Sequence, residues 1–489
     1  MITGLLTSCR AYLSKSPLRA RAARGGAWLG AGTVAAQLFR LGRNVVLTRL
    51  LAPESFGVMA IIISIGSMMD MFTEIGVRES VIQNPNGDKY GYLNSALWLS
   101  AARSFVSYGA IFLLAPEAAS FYHSPELTAL GRVALAGVVF KGLMSPRAFV
   151  ALKRMDYKQW TIVQYGSSIA ATVITIVLAF MMRNVWALAI GFAAEYAVLF
   201  VSSYVLFPFR PRFSIDRHSG RELIQFSKGV FGLSFLNLIY VRADIFVLGR
   251  LIPQDRLGIY SMAVYLAQAP AAFLLNYQAQ ILLPVFSQVQ TESERTNSLL
   301  RKGASLLFFF VAPALVFIAL SGRALLSLLY GTAYAVGFWA FLVAAMVAAI
   351  NVANAQLTTA FYAAGKPQLH RLCVAIMAVV MLVVIYPASR WGGMVGAQLC
   401  ALLAMIVGYA VQLRQARSVT GFRLGISKGI GLRVGGALVV LAIAVLIRGA
   451  ISFSTPALNL LLGAFAAGAT LLAGILLSYH RDRWHIIAT

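Results

Sequence analysis

Apolar runs of about twenty residues recur along the whole of this chain, and each can cross a hydrocarbon core about 30 Å thick as a helix. Short polar stretches separate the runs. The pattern predicts fourteen transmembrane helices, at 27–48, 56–77, 95–115, 127–150, 160–182, 185–207, 225–252, 257–285, 303–322, 334–364, 369–388, 393–413, 430–448 and 457–479. The predicted fold class is therefore an all-α polytopic membrane protein.

Lysine and arginine are distributed unevenly between alternate connections of these helices. With the amino terminus inside, the inner connections hold 25 of these residues and the outer connections hold 7. Cytoplasmic loops carry such an excess, so both termini are predicted to be cytoplasmic. Residues 1–26, which are basic and contain no acid, are interpreted as a retained cytoplasmic tail rather than a transit peptide or secretory signal.

Composition excludes several other classes of protein. Hydrophobic residues make up 60% of the chain and charged residues 12%, which does not fit a soluble domain. The net charge of +25 is spread over many loops, so no nucleic-acid partner is predicted. Three scattered cysteines indicate neither a disulfide framework nor a metal site. The chain lacks a G-x-x-x-x-G-K-[ST] phosphate loop, and no cofactor is predicted.

One segment of the sequence occurs twice. Thr48–Val58 aligns without a gap on Gly249–Ile259, at an offset of 201 residues that equals six predicted helices. Parallel repeats of this kind occur in transporters, with the substrate site between the two halves. The predicted domains are a basic tail (1–26), a six-helix lobe (27–207), a cytoplasmic linker (208–224), a second six-helix lobe (225–413), a second linker (414–429) and two extra helices with a short tail (430–489).

Polar residues follow one face of the first helix. Their i, i+4, i+7, i+11 spacing repeats with the helical period, and the members of this row are Thr33, Gln37, Arg40 and Asn44. An arginine that faces lipid at this depth costs roughly 2.5–3.5 kcal/mol, so Arg40 is expected to face a bundle interior or a watery cavity.

The second helix carries Asp70 and Glu74, opposite in sign to the first helix. One interpretation is an ion pair with Arg40 or Arg43 that positions the two helices. The other is a protonatable or cation-binding carboxylate in the cavity. The spacing allows either role, and one pair could serve both.

The later helices add amides, hydroxyls and one further acid. In the seventh helix Asn237 and Asp244 share a face with Arg242 beside it, and Asp244 stands where Arg43 stands in the first repeat. Further candidates for a polar lining are Gln268, Asn351, Asn354 and Thr358. Such rows either join helices or line a shared cavity, and their concentration in a few helices favours the cavity.

The third and fourth helices contribute more cations. Lys141 lies near the predicted membrane centre and is a candidate for the cavity. Arg103 and Arg147 are close enough to a membrane surface to snorkel towards it.

The segment Leu47–Gly57, with the sequence LTRLLAPESFG, resembles the polysaccharide-transporter family of the multidrug/oligosaccharidyl-lipid/polysaccharide exporter superfamily. Ala151–Tyr157 (ALKRMDY) and the pair Asn237 and Asp244 resemble the same family. Its members include O-antigen flippases and exopolysaccharide exporters, and the six-plus-six-plus-two plan is similar to theirs.

The resemblance implies that undecaprenyl-diphosphate-linked oligosaccharide repeat units are flipped across a bacterial inner membrane by alternating access. It implies membrane lipids as partners, and a polysaccharide polymerase and chain-length or export proteins beside them. Because arginine binds phosphate through a bidentate fork, Arg40 and Arg43 are predicted to hold the diphosphate, assisted by Arg242 or Lys141. Three acids are predicted to serve ion coupling or gating: Asp70, Glu74 and Asp244. These roles rest on helix geometry alone.

Two other functions remain open. A drug/cation antiporter of the same superfamily would need a net acidic lumen, whereas basic residues are at least as numerous at membrane depth here. An integral glycan ligase or polymerase would be an enzyme and would need a sizeable outer loop. The longest outer loop predicted, 116–126, is small for that purpose.

Overall fold

The computed structural model describes residues 17–72, 76–214, 216–288, 292–420 and 458–471. The regular structure in these ranges is entirely helical, which confirms the predicted all-α class. The chain forms two compact units, Met1–Leu238 and Ile239–Thr489. The predicted domain boundaries stay a prediction.

The first unit contains nine helices within its described residues and the start of a tenth. They are α1 Pro17–Leu50, α2 Pro53–Phe72, α3 Val77–Gln83, α4 Tyr90–Phe121, α5 Glu126–Leu135, α6 Gly137–Gly142, α7 Arg147–Lys153, α8 Tyr157–Met182 and α9 Trp186–Leu206. The tenth helix, α10, runs over Arg217–Leu251 and passes from the first unit into the second.

The second unit continues with long helices. They are α11 Gln254–Gln288, α12 Ser293–Tyr330, a 3₁₀ helix Thr332–Gly337, α13 Phe338–Ala363, α14 Pro367–Thr420 and α15 Leu458–Leu471. A break at Gly393, where φ is 53°, divides α14 into the two segments predicted at 369–388 and 393–413.

Eight helices of the described chain are long and apolar enough to cross a membrane, and a ninth is added if one broken pair counts as a single span. The protein is therefore a multi-pass membrane protein. The predicted number of fourteen stays a prediction, because segment 430–448 lies outside the described residues and segment 457–479 is described only at 458–471.

The fourth predicted segment, 127–150, is not one straight helix. The structure breaks it into α5, α6 and α7, with a bend of 62° between Glu126–Gly142 and Arg147–Lys153. Pro146 favours the break because a proline disfavours helical geometry in the residue before it. Ser145 stabilises it: its N–H donates to Ser203 Oγ at 3.0 Å and its hydroxyl donates to the Phe207 carbonyl at 2.6 Å.

The repeat is also a repeat of local structure. Helix α1 ends at Leu50 and α2 begins at Pro53, while α10 ends at Leu251 and α11 begins at Gln254, so both breaks keep the offset of the sequence repeat. The closing hydrogen bonds match as well. Leu51 N–H donates to the Leu47 carbonyl and Ile252 N–H to the Leu248 carbonyl, both at 2.9 Å.

Helix α10 begins on a defined cap. The Asp216 carboxylate accepts hydrogen bonds from Ser219 Oγ at 2.5 Å and from Ser219 N–H at 3.0 Å. Both bonds hold the pKa of Asp216 below its usual value, and the bond from the Ser219 hydroxyl has the larger effect. Such a cap satisfies a backbone donor that the first helical turn leaves free.

Helix α4 continues through Pro116, which has no N–H to offer to the carbonyl of Phe112 one turn earlier. The guanidinium of Arg132, on α5, takes that place. Its Nε and Nη2 donate to the Phe112 carbonyl at 3.3 and 3.1 Å, and its Cζ lies 3.9 Å from the centre of the Phe112 ring. Arg132 therefore compensates for the hydrogen bond that the proline removes.

We expect Arg132→Met to destabilise the protein by about 1–2 kcal/mol, because hydrogen bonds to a charged donor and a cation–π contact are lost together. In a Pro116→Ala background the helix regains its own N–H, so the same change should cost less. Thermal unfolding of the four proteins in detergent measures this difference. Equal costs in the two backgrounds would contradict the compensation.

Candidate functional site

Arg40, in the middle of α1, contacts two other helices of the first unit. Its Nε donates to Ser168 Oγ of α8 at 3.0 Å, and its Nη2 lies 3.3 Å from Glu195 Oε1 of α9. The Arg40 side chain is 36% exposed and that of Glu195 is 24% exposed. The arginine is thus held in place by a carboxylate while part of its side chain stays accessible.

The rest of the polar row on α1 also packs within this unit. Thr33 Oγ1 lies 2.7 Å from the Tyr165 hydroxyl of α8. At Gly32 an added Cβ would lie 2.5 Å from Thr161, so the glycine permits the close approach of α1 and α8. Gln37 is half-buried and Asn44 is buried. Thr33 and Arg40 therefore bond to α8, a neighbour that the sequence did not predict, and a role in lining a cavity remains a proposal.

Asp70 of α2 forms ion pairs with two basic side chains. Lys141 Nζ of α6 lies 2.8 Å from Asp70 Oδ2, and Arg103 Nη2 of α4 lies 3.8 Å from Asp70 Oδ1. Arg103 Nη1 also donates to the Asp70 backbone carbonyl at 3.4 Å. Arg103 is only 12% exposed, so it does not snorkel as the sequence suggested.

The structure pairs Asp70 with Lys141 and Arg103, and Arg40 with Glu195, so the predicted pair of Asp70 with Arg40 is wrong, whereas a pair of Arg43 with an acid of the second helix stays a prediction. The reason lies in the packing of α2 against the broken fourth segment. A Cβ at Gly66 would lie 2.5 Å from Leu135, so α2 and α5 approach closely there. Asp70 is one turn further along the same face of α2 and meets Lys141 of α6. Glu74 lies outside the described residues.

Helix α9 connects the two groups of charges. Glu195 pairs with Arg40, and the next residue, Tyr196, places its ring 5.9 Å from Lys141 Nζ. Gly137 allows this, since a Cβ there would lie 2.7 Å from the Tyr196 ring. We define the charge cluster of the first unit as Arg40, Asp70, Arg103, Lys141, Glu195 and Tyr196. It has three cations and two carboxylates, and its formal charge is positive.

Sequence reasoning missed Glu195 as a member of this cluster. The signal was present, because Glu195 is the one charged residue in the predicted segment 185–207. A charged residue at membrane depth usually faces the interior and has a partner. The identity of that partner depended on the packing of α9.

In the second unit, Asp244 of α10 is buried in a hydrogen-bonded chain. Its Oδ2 accepts from the Tyr260 hydroxyl of α11 at 2.5 Å, and that hydroxyl accepts from Gln398 Nε2 of α14 at 2.6 Å. The N–H of Ile245 donates to Asp244 Oδ1 at 2.7 Å. In the described part of the chain no lysine, arginine or histidine nitrogen lies within 4 Å of this carboxylate.

The other polar residues predicted on the later helices differ in how exposed they are. Asn237 and Gln268 are exposed, whereas Arg242 and Asn351 are half-buried. Asn354 is buried, and its carbonyl accepts the hydroxyl of Thr358 at 3.2 Å.

Thr358 belongs to a polar junction between α13 and α14. Its hydroxyl lies 3.0 Å from Gln412 Nε2 and 3.2 Å from His370 Nδ1. Hydrogen bonds of this kind join transmembrane helices. The geometry of Thr358 thus fits a joining role, and its role as a cavity lining stays a prediction.

The comparisons with known proteins agree with this architecture. A family model described as polysaccharide biosynthesis protein matches residues 46–339, which is more than half of the chain. The succinoglycan biosynthesis transport protein ExoT of Rhizobium meliloti (strain 1021) is 22% identical over 291 residues, which cover 59% of this chain and 58% of that protein. The lipopolysaccharide biosynthesis protein WzxC of Escherichia coli (strain K12) is 23% identical over 321 residues, which cover 64% of each. The match therefore spans less than two thirds of either relative.

A solved structure is similar over nearly the whole chain. The lipid II flippase MurJ, in an inward closed conformation, superposes with a TM-score of 0.73 at 12% identity and covers 93% of this chain and 99% of that one. At this identity the likeness establishes the fold. The chain thus shares its fold with that lipid II flippase.

Proposed function

The chain belongs to the polysaccharide biosynthesis protein family, and from this premise we propose that it flips undecaprenyl-diphosphate-linked oligosaccharide repeat units across the bacterial inner membrane by alternating access. The resemblance drawn from Leu47–Gly57 is confirmed at the level of the family. The repeat units would serve exopolysaccharide or lipopolysaccharide synthesis. The protein would act as a transporter and not as an enzyme, with both termini in the cytoplasm.

The observation that carries the proposal is the charge cluster of the first unit. A diphosphate brings negative charge into the membrane, where it needs cations and hydrogen-bond donors in fixed positions. Arg40 and Lys141 are each held by one carboxylate and remain partly exposed, at 36% and 40% of their side chains. We assign the diphosphate to Arg40 and Arg43, with Lys141 or Arg242 assisting.

The carboxylates have a second role in this proposal. Glu195 and Asp70 compensate the charges of Arg40 and Lys141, so neither of these partly exposed cations is left without a counter-charge in the membrane. When the diphosphate binds, its oxygens compete for the same donors. Asp70, Glu74 and Asp244 are proposed to couple this exchange to an ion or to gate it.

Two observations weigh against the alternatives. A drug/cation antiporter would bind its cargo with acids, yet the cluster has more cations than carboxylates. A ligase or polymerase would place its chemistry in a sizeable outer loop. Most of the predicted loop 116–126 is helical, because α4 extends to Phe121 and α5 begins at Glu126. A polysaccharide polymerase and chain-length or export proteins are proposed as partners.

Reconstitution of the whole chain in liposomes tests the proposal. We expect it to flip a fluorescent undecaprenyl-diphosphate oligosaccharide and to move the monophosphate analogue roughly 10-fold more slowly, since one charged group of hydrogen-bond acceptors is lost. Empty liposomes are the control. Proton-driven uptake of an organic cation without movement of the diphosphate lipid would favour the antiporter, and equal rates for both lipids would exclude diphosphate recognition.

A further inference from the structure

The segment between α9 and α10 is fastened to the first turns of α4 through its backbone. The Tyr90 hydroxyl donates to the Arg210 carbonyl at 2.6 Å, and the Trp98 indole donates to the Arg212 carbonyl at 2.7 Å. The amide of Asn94 donates to the Arg212 carbonyl at 2.9 Å and accepts from the Arg212 N–H, also at 2.9 Å. We call residues 208–214 the strap. Its backbone is fixed, so its side chains are presented in defined positions.

A ring of the strap and a ring of α4 stack on each other, and each has an arginine close to it. Tyr90 and Phe209 stack with their centroids 5.3 Å apart. The Arg212 guanidinium lies 5.3 Å from the centre of the Tyr90 ring, and that of Arg147 lies 5.9 Å from the centre of the Phe209 ring. Arg147 also donates to the Pro208 carbonyl at 2.7 Å. These four residues, Arg212, Tyr90, Phe209 and Arg147, are the arginine–aromatic stack.

The arginines of this region carry charge that nearby acids do not compensate. Arg147, Arg210 and Arg212 are exposed, and within the described residues no carboxylate oxygen lies within 4 Å of their nitrogens. The neighbouring acids have other partners: Asp88 binds Lys153 and Arg154, Asp216 binds Ser219, and Glu222 binds Asn84. A guanidinium that contacts an aromatic face can still direct N–H donors at an anion, and Arg147 uses only part of its donors on the Pro208 carbonyl.

The position of the stack indicates a lipid. Tyr90 is the first residue of the apolar span Tyr90–Phe121. Trp98, which lies ~12 Å further along that helix by its rise, stacks on Phe213 with centroids 4.7 Å apart. Phe213 is 94% exposed, which is costly in water and favourable at the boundary of the acyl chains. The arginines thus lie near the end of α4 at the membrane surface, and the apolar rings of Trp98 and Phe213 lie towards the membrane interior.

We propose that the arginine–aromatic stack, with Arg210 beside it, binds the phosphate headgroup of an anionic glycerophospholipid. The lipid would lie in the leaflet on this side of the membrane, which the charge bias predicts to be the cytoplasmic one. Its headgroup bridges the arginines, and its acyl chains pack on Phe213 and Trp98. This site is separate from the charge cluster and does not depend on the proposed transport function.

The test uses the full chain in nanodiscs of phosphatidylcholine alone and of an equimolar mixture with phosphatidylglycerol. Native mass spectrometry counts the phosphatidylglycerol that stays bound. We expect a triple variant, Arg147→Gln, Arg210→Gln and Arg212→Gln, to bind it about 100-fold more weakly, since it removes the charge-assisted hydrogen bonds that hold the headgroup phosphate. The matched control, Lys89→Gln, Arg217→Gln and Arg221→Gln, removes the same charge from the same face and should keep the lipid.

Three further outcomes bear on the proposal. Replacement of the three arginines by lysine should restore less than the full affinity, because charge is kept but stacking is lost. Equal loss in the triple variant and in its control would overturn the site in favour of general surface charge. Displacement of the bound lipid by inorganic phosphate or pyrophosphate at low concentration would show that the site takes a free phosphate, and would overturn the assignment to lipid.

Discussion

Replacing Arg40 by alanine should lower the amount of protein in the membrane several-fold, and adding Glu195→Gln should restore the amount without restoring flipping. The single change leaves the carboxylate of Glu195 without the cation that lies 3.3 Å away. A fully buried pair costs ~3–5 kcal/mol when one partner is removed, and the partial exposure of Arg40 reduces this to about 1–3 kcal/mol. A loss of that size changes abundance several-fold.

The double variant separates stability from transport. If Arg40 binds the diphosphate, protein with both changes is stable but flips the lipid roughly 10- to 100-fold more slowly, as expected when a charged phosphate contact is lost. Arg40→Lys keeps the ion pair and should keep abundance, while it loses the bidentate fork and with it most of the flipping.

The measurements are membrane abundance and flipping rate per molecule. Arg154→Ala is a matched control, because Arg154 also pairs with a carboxylate, Asp88, but at an exposed site 70% open to solvent. It should change neither quantity by much. Full flipping by Arg40→Lys, or recovery of flipping in the double variant, would leave Arg40 with a structural role alone.

Asp70→Asn should destabilise the protein more strongly, by about 3 kcal/mol, because one carboxylate serves both Lys141 at 2.8 Å and Arg103 at 3.8 Å. Its removal leaves two cations close together at membrane depth with no compensating charge. Adding Lys141→Gln removes one of them and should recover about half of the loss. Thermal unfolding in detergent measures both steps.

The Asp70→Asn, Lys141→Gln protein then tests ion coupling through the ratio of its flipping rates with and without a proton gradient, with Lys141→Gln alone as the reference for the lost cation. If Asp70 takes up a proton during the cycle, flipping by this variant no longer depends on the proton gradient. Glu74→Gln is tested in parallel. Asp88→Asn is the stability control, since Asp88 pairs with Lys153 and Arg154 at a surface site. Unchanged gradient dependence in both acid variants would assign Asp70 to helix positioning, and full stability of Asp70→Asn would contradict the three-residue contact itself.

The location of charged residues at membrane depth was predictable, but their partners were not. Arg40, Asp70 and Lys141 were identified from their places in apolar segments. Their contacts, however, join residues far apart in the chain: Arg40 meets Glu195 across 155 positions and Lys141 meets Asp70 across 71. Helical periodicity shows which residues share a face and does not show which neighbour that face meets.

The break in the fourth segment shows the same limit. Hydrophobicity alone predicts one helix over 127–150, because the segment is long enough to span the membrane. Its bend depends on Pro146 and on the contacts of Ser145 with Ser203 and Phe207, which lie on or just beyond α9. Lys141 lies just before this bend and pairs with Asp70, so a single straight helix over 127–150 does not predict its surroundings.

By itself the sequence determined the helical class, the repeat and the family, because the apolar runs, the repeated segment and the Leu47–Gly57 motif are properties of short stretches. Tertiary structure alone decided that α8 and α9 hold Arg40, that Asp70 joins two cations, and that the strap fixes two arginines against Tyr90 and Phe209. The physical reason is that close approaches such as those at Gly32, Gly66 and Gly137 join helices far apart in the chain, and these ion pairs need such packing to bring their partners together.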